Sequence, residues 1–154
     1  MEAIATIREA TAFAEFKKVP LCVLNLDFKN AFVRISHKYL YSILRCYRIS
    51  DLFIDCLKKM YEGATTSTQL NGHTYVPIPI RCVIRQGCPA SILLYAQCLH
   101  PLLRMLEHRL PGIKIGRRAH PTSVVAYADD VTIFVTSTDD FPIIEDAIRG
   151  VVEK

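Results

Sequence analysis

Two adjacent carboxylates, Asp129 and Asp130, interrupt an apolar, β-branched run at residues 123–136 and are well suited to chemistry. The run alternates in the manner of a strand on each side of the pair, which predicts a hairpin with the acids at its tip. Neighbouring carboxylates repel each other unless a cation neutralises them. Oxygen ligands suit Mg²⁺ or Mn²⁺. The alternative is that the two aspartates form a polar turn without function. Features elsewhere in the chain are needed to distinguish these two interpretations.

A third carboxylate, Asp27, directly follows the apolar run at residues 21–26. This run predicts a strand buried on both faces. A carboxylate at the end of such a strand is costly unless it is paired or bound to a metal. If the strand lies beside the acidic hairpin, Asp27, Asp129 and Asp130 meet at one sheet edge and form a candidate two-metal site. The alternative is that Asp27 caps a following helix.

Hydrophobic periodicity places helices around these strands. Residues 1–18 are predicted to be an amphipathic helix, and two further helices follow Asp27, the first capped by Ser36 and the second by Ser50 or Asp51. The predicted buried side chains of these three helices are Ile4, Ile7, Thr11, Phe13, Ala14 and Phe16, then Leu40, Ile43, Leu44 and Tyr47, then Phe53, Cys56, Leu57 and Met60.

The second half of the chain has equally clear signals. Asn71-Gly72 suits a type I′ turn and predicts a β-hairpin over residues 65–81. A long helix after Gly87 contains Pro101, which predicts a kink or two helices end to end, and a last helix is expected to be capped by Asp140. The predicted buried stripe of the long helix is Leu99, Leu102, Leu103, Leu106 and Leu110.

The order of these elements indicates an α+β fold, with a small antiparallel sheet, helices packed on one face and the other face open. The 154 residues form one domain, and a hydrophobic content of 51% indicates a well-filled core or apolar surface that belongs against missing neighbours. The six cysteines lack metal-binding spacing and are mostly predicted to be buried thiols. No run is long enough to span a membrane.

The net charge and the N-terminal sequence give further information on possible partners and on location. A net charge of +4 permits a partner that carries phosphate but does not require one. The N-terminus carries acidic residues and lacks the layout of a signal peptide, so we expect an intracellular protein.

Three segments together resemble motifs A, B and C of reverse transcriptases, most closely of the non-LTR (LINE-like) retrotransposon type. They are Leu26-Asp27-Phe-Lys-Asn-Ala-Phe32, Arg85-Gln-Gly-Cys-Pro-Ala-Ser91 and Ala126-Tyr-Ala-Asp-Asp130. The resemblance implies the palm subdomain of a right-hand polymerase, an RNA-directed DNA polymerase that extends a DNA primer on an RNA template with dNTPs. It covers most of the chain.

The resemblance also implies roles for individual residues. Asp27 and Asp129 would hold two Mg²⁺ (or Mn²⁺) ions, with Asp130 as a weaker third carboxylate and the carbonyl of Phe28 in the metal shell. Four further residues would contact or support the substrates: Phe32 at the position that senses the sugar 2′ side, Gln86 and Gly87 beside the nascent base pair and template, and Tyr127 near the primer end. A simple core role remains the alternative for Phe32.

The chain departs from the family pattern in several places. Val33 stands where the LINE-like pattern usually has Asp, and Ala90 replaces a larger apolar residue. Most of the fingers and all of the thumb are expected to be absent, so residues 1–154 would be a partial domain of a longer polyprotein. Two alternatives therefore stay open: a non-catalytic remnant of a decayed retrotransposon reading frame and, less favoured, a nucleic-acid-binding module.

Overall fold

A computed structural model of the chain describes residues 2–27, 35–80, 89–116, 120–127 and 130–152. The helices within these ranges are α1 (Glu2–Lys17), α2 (His37–Cys46), α3 (Asp51–Tyr61), α4 (Pro89–Arg109) and α5 (Asp140–Val152). The strands are β1 (Cys22–Asp27), β2 (Thr65–Thr66), β3 (Gln69–Leu70), β4 (His73–Thr74), β5 (Ile78–Pro79), β6 (Val124–Tyr127) and β7 (Asp130–Val135). The chain forms two compact units: the first unit, Met1–Lys29 with Leu99–Lys154, and the second unit, Asn30–Cys98.

The first unit is built on an antiparallel sheet with the strand order β1-β7-β6. The central strand β7 is buried on both faces from Val131 to Val135. The prediction that β1 is buried on both faces is wrong, because Cys22, Asn25 and Asp27 are exposed. Among the described strands, β1 pairs with β7 alone and forms an edge of the sheet, which leaves part of its surface uncovered.

Helix α1 packs on one face of this sheet through small side chains. Ala10 and Ala14 lie in one buried cluster with Phe134 of β7, and Val23 and Val125 pack against that cluster. The buried side of α1 is Thr6, Ala10 and Ala14. The stripe predicted for this helix is therefore wrong at two residues, since Ile4 is 62% and Phe16 is 80% exposed.

The predicted α+β palm with a small antiparallel sheet is confirmed. One detail differs from expectation: alternation along the strands puts Val23, Phe134, Asp27 and Asp130 on the same face. Helix α1 covers this face at the Phe134 end. The alternate residues of β7 are buried on the opposite face as well, so the expectation that one face of the sheet is open is wrong at this strand. The prediction of a single partial domain over residues 1–154 stays a prediction.

The segment between α4 and β6 is held by a short backbone bridge. The N–H of Ile113 donates to the carbonyl of Thr122 at 2.9 Å, and the N–H of Thr122 donates back at the same distance. Gly112 has a φ of +66°, and a Cβ at this position would lie 2.8 Å from the backbone carbonyl of Thr122. A residue without a side chain is therefore required where this bridge begins.

Helices α4 and α5 each confirm part of what the sequence predicted. α4 runs continuously through Pro101, so the predicted alternative of two helices end to end is wrong. Four residues of its predicted stripe are buried: Leu99, Leu102, Leu106 and Leu110. α5 does begin at Asp140, but the Asp140 carboxylate accepts hydrogen bonds at 3.0 Å from the N–H groups of Thr136 and Ser137, which precede the helix. Asp140 thus holds the connection from β7 to α5.

In the second unit, α2 is capped as predicted, because the N–H of Tyr39 donates to Ser36 Oγ at 3.2 Å. Its buried residues are Leu40 and Leu44. α3 buries Ile54, Leu57 and Tyr61, so the stripe predicted for this helix is wrong at three of its four residues: Phe53, Cys56 and Met60 are exposed. Apolar residues occur on both sides of α3. The buried side, which contains Ile54 and Tyr61, is displaced by one residue from the side predicted from Phe53 and Met60.

The predicted hairpin is present as a narrow two-stranded ribbon over residues 65–79. β3 pairs with β4 around Asn71-Gly72, and β2 pairs with β5. Asn71 and Gly72 have φ values of 50° and 80°, as a type I′ turn requires. Every residue of the ribbon is exposed.

The cysteines are mostly exposed in the described part of the chain. Cys98 is buried, as predicted, whereas Cys22, Cys46 and Cys56 are exposed, so the prediction of buried thiols is wrong for these three. Cys22 lies on the edge strand and Cys56 on the outer side of α3. Across the described ranges, no helix is both long and apolar enough to cross a membrane.

Candidate active site

The two strands of the sheet that carry acidic residues bring Asp27 and Asp130 directly opposite each other. Asp27 is the last residue of β1 and Asp130 is the first residue of β7, and the two are partners in the antiparallel register. Side chains at opposed positions have Cβ atoms about 4.5–5.5 Å apart. Two like charges at that separation are unfavourable by themselves, so a cation between them would stabilise this arrangement.

Strand β6 places Tyr127, another residue of the acidic motif, on the other side of β7. Tyr127 of β6 is also a register partner of Asp130. Ala128 and Asp129 lie between these partners in the sequence and are outside the described ranges. Tyr127 is 69% exposed and lies across Asp130 from Asp27.

These residues open into a cavity of about 550 Å³ within the first unit. Asp27, Tyr127 and Asp130 form one part of its lining, with Asn25 and Thr132 one step further along the strands. Helix α1 contributes apolar side chains to the opposite wall, and the lining residues besides those five are Ala3, Ile4, Ile7, Leu26, Val125 and Val131. The carboxylates are therefore accessible to a ligand that also has an apolar part.

The donor set suits a hard divalent cation. Two opposed carboxylates offer four oxygen atoms, which is the ligand chemistry of Mg²⁺ and Mn²⁺. No group of three or more His, Cys, Asp or Glu side chains able to hold a metal occurs among the residues that the structure describes, and Asp129 is not one of those residues. The fit therefore rests on Asp27 and Asp130, with Asp129 next to Asp130 in the chain.

Several residues that the sequence proposed for the site lie outside the described ranges. These are Phe28, Phe32, Gln86, Gly87 and Asp129. Of the remaining candidates, the structure brings together Asp27, Tyr127 and Asp130.

The sequence reasoning missed one polar pair in the cavity. Thr132 Oγ1 donates a hydrogen bond to Asn25 Oδ1 at 2.9 Å. A signal was present, since Asn25 is the single polar residue within the apolar run before Asp27, and Thr132 follows Asp130 at the spacing that shares a strand face. The sequence also contained no indication that apolar residues of α1 line the same cavity.

Comparison with known proteins gives a family match over nearly the whole chain. Residues 2–154 match the family model for reverse transcriptase (RNA-dependent DNA polymerase). The chain is 35% identical over 127 residues, 82% of its length, to a transposon TX1 uncharacterized 149 kDa protein of Xenopus laevis, of which this region covers 10%. It is 36% identical over 115 residues, 73% of its length, to the retrovirus-related Pol polyprotein from type-2 retrotransposable element R2DM of Drosophila melanogaster, again 10% of that protein.

A solved structure supports the fold. The apo telomerase of Candida tropicalis, truncated from its C-terminal domain, aligns with 96% of this chain at a TM-score of 0.61 and 15% identity. The chain covers 30% of the telomerase chain, so it spans a small part of each of these proteins. By the extent of the family match and by its relatives in retrotransposable elements, the chain belongs to the reverse transcriptase family and is a reverse transcriptase domain of the non-LTR type.

Proposed function

We propose that this chain is the palm part of an RNA-directed DNA polymerase, which extends a DNA primer along an RNA template with dNTPs. The observation that carries the proposal is the register pair of Asp27 with Asp130, two exposed carboxylates at the end of the paired strands, and Asp129 adjoins Asp130 in the sequence. A metal-dependent polymerase needs carboxylates at such an accessible edge, where a primer end and a triphosphate can meet.

The three carboxylates would hold two Mg²⁺ or Mn²⁺ ions, with the Phe28 carbonyl as a further ligand. Ions bound there would make the primer 3′-hydroxyl a better nucleophile and stabilise the departing pyrophosphate. The chain itself would supply the fixed positions of the ligands, since Asp27 ends β1, Asp130 begins β7, and the pairing of these strands is continuous through six register pairs.

The other candidate residues would contact the substrates. Tyr127 is exposed beside Asp130 and is available to a primer end. Phe32 would sense the sugar of the incoming nucleotide, and Gln86 and Gly87 would lie along the nascent base pair and the template. The apolar wall from α1 fits the apolar faces of a nucleotide better than it fits a free phosphate.

Substitution of single carboxylates tests the proposal. Asp27→Asn, Asp129→Asn and Asp130→Asn should each weaken Mn²⁺ binding, measured by the paramagnetic resonance signal of free Mn²⁺, and should reduce primer extension on an RNA template. Loss of a residue that only orients a metal ligand typically costs up to about 100-fold. Asp27 and Asp129 are proposed as the two main ligands themselves, so their substitution should reduce extension by more than about 100-fold. Asp139→Asn is the matched control, because Asp139 is an exposed carboxylate in the turn before α5.

The non-catalytic remnant stays a second candidate because Val33 replaces the Asp of the LINE-like pattern. That candidate predicts Mn²⁺ binding that depends on Asp27 and Asp130, with no extension by the folded chain. Restoring the family residue with Val33→Asp would then separate the two candidates, since a gain of extension would assign the loss to this substitution.

A further inference from the structure

The hydrogen bond from Thr132 to Asn25 lies directly behind the two opposed carboxylates. Asn25 and Thr132 are themselves register partners, as are Asp27 and Asp130, and only one pair of partners lies between them. Side chains alternate between the two faces of a strand, so both pairs lie on the same face of the sheet. All four residues line the same cavity.

Neither residue is explained by the needs of the sheet alone. Thr132 is 8% exposed between Val131 and Ile133, which are 1% and 0% exposed, so a valine would fill the position without a hydroxyl to satisfy. Asn is among the residues least suited to a strand. The hydrogen bond at 2.9 Å satisfies the Thr132 hydroxyl and joins the two side chains across the strands.

We propose that Asn25 and Thr132 are a positioning pair for the carboxylates of Asp27 and Asp130, an inference that rests on the proposed metal-dependent function. The bond joins the side chains of β1 and β7 one step behind the site and limits how far the ends of these strands can move apart. Asp27 and Asp130 are thereby kept at a separation at which both can bind the same divalent cation.

The amide of Asn25 has a second contribution. The bond from Thr132 engages the carbonyl oxygen of this amide and uses neither of its N–H donors. Asn25 precedes Asp27 by one step on the same face, so these donors can orient a carboxylate oxygen at the site. Such outer partners fix the direction of metal ligands, and their loss typically costs about 10–100-fold in metal affinity.

A purely structural pair would behave differently from a positioning pair. It would lower the stability of the chain when broken, and the folded molecules would bind the cation as before. The readout that separates the two roles is therefore the dissociation constant for Mn²⁺, measured at temperatures where circular dichroism shows that each variant is folded.

The test compares Thr132→Val, which removes the hydroxyl at nearly constant shape, with Thr132→Ser, which keeps it. Thr122→Val is the matched control, because the same change is made at a residue whose described contacts are backbone hydrogen bonds to Ile113. We expect Thr132→Val to weaken Mn²⁺ binding by about 10–100-fold, and Thr132→Ser and Thr122→Val to stay near the original affinity.

Asn25→Ala gives a second route to the same answer. Asn25 lies on the exposed edge strand, where truncation is tolerated better than in β7. It should weaken Mn²⁺ binding at least as much as Thr132→Val does, since it removes both the hydrogen bond and the amide N–H donors. The double variant should bind no worse than Asn25→Ala alone, because the hydrogen bond is already lost in that variant.

Each outcome has a distinct meaning. If Asp27→Asn weakens Mn²⁺ binding but Thr132→Val and Asn25→Ala do not, the pair is structural and the positioning role is overturned while the metal site stands. If Thr132→Ser binds as poorly as Thr132→Val, the hydroxyl is not the group that matters, which also overturns the positioning role. If Asp27→Asn leaves Mn²⁺ binding unchanged, the metal site and the positioning role both fail.

Discussion

Strand β7 and the ribbon over residues 65–79 are both antiparallel, but they are held in register by different forces. Residues 131–135 of β7 are between 0% and 8% exposed, whereas every residue of the ribbon is exposed. A shift of one residue in β7 would exchange the side chains of its two faces and break the buried packing. The same shift in the ribbon would bury and expose little, so the Asn71-Gly72 turn alone sets its register.

This difference explains why the candidate site lies where it does. Asp27 and Asp130 are opposed only while β1 and β7 keep their register, and the burial of β7 holds that register. A site whose ligands must stay within fractions of an ångström needs a support of this kind. The ribbon has no such support and would give ligands no fixed separation.

The largest expected effect comes from emptying the core behind β7. Phe134 is fully buried against Ala10, Ala14, Ile113 and Ile115. Phe134→Ala should lower the free energy of unfolding by about 3–5 kcal/mol, since the small alanines around it cannot fill the cavity. Urea denaturation followed by circular dichroism measures this loss.

The matched change in the ribbon is Tyr75→Ala, at a residue that is 55% exposed. An exposed substitution of this kind should change the free energy of unfolding by less than about 0.5 kcal/mol. Equal losses for Phe134→Ala and Tyr75→Ala would contradict the distinction between the two regions.

A smaller effect is expected at the glycines of the two turns. Gly112 and Gly72 both have positive φ, but a Cβ on Gly112 would lie 2.8 Å from the Thr122 backbone, whereas a Cβ on Gly72 meets nothing within 4 Å. Gly72→Ala should cost about 1 kcal/mol, the strain of a left-handed residue. Gly112→Ala adds the displacement of the Ile113–Thr122 bridge, so it should cost about 2 kcal/mol or more.

Urea midpoints of the two glycine variants measure this difference. Gly116→Ala is a further control in the first unit, because Gly116 has a φ of +57° and open space around its Cβ position. It should resemble Gly72→Ala. A loss at Gly116 as large as that at Gly112 would show that strain alone, and not the close approach of Thr122, sets the cost.

The sequence predicted the pairing of the acidic strands better than it predicted the buried faces of the helices. Asp27 and the acidic pair were expected to meet because isolated carboxylates beside apolar strands need a partner, and the structure does place Asp27 opposite Asp130. The ribbon was predictable from Asn71-Gly72 alone, because that turn has a strong local preference.

The helix faces were harder to predict because hydrophobicity was not what distinguished them. α1 packs through Thr6, Ala10 and Ala14, whose small size matters more than their apolar character, and leaves Phe16 exposed. In α3, the stripe of Ile54 and Leu57 competes with that of Phe53 and Met60, and both are apolar. Tertiary packing determines which of two apolar faces is buried, and the hydrophobic periodicity of a helix does not contain that information.

The thiols extend the comparison between buried and exposed positions into the second unit. Cys98 is 2% exposed, and burial raises the pKa of its thiol from 9.0 to about 12. Cys46 and Cys56 are exposed. Because thiolates are the reactive form, an aromatic disulfide reagent at pH 8 should modify Cys46 and Cys56 quickly and Cys98 only when the chain opens.

Peptide mass spectrometry reads each thiol separately and measures this difference as a ratio of labelling rates.

Since the pKa of Cys98 is raised in the folded state, the folded chain holds the thiol proton more tightly than the unfolded chain does. The contribution to stability is therefore complete below about pH 9 and falls as the pH rises toward about 12. Tyr39, whose hydroxyl donates to the Cys98 carbonyl at 3.1 Å and whose pKa is raised to about 12 mainly by burial, shifts stability in the same direction. Cys98→Ala should flatten the alkaline loss of stability, whereas Cys56→Ala should leave it unchanged, and rapid labelling of Cys98 in the native chain would contradict its burial.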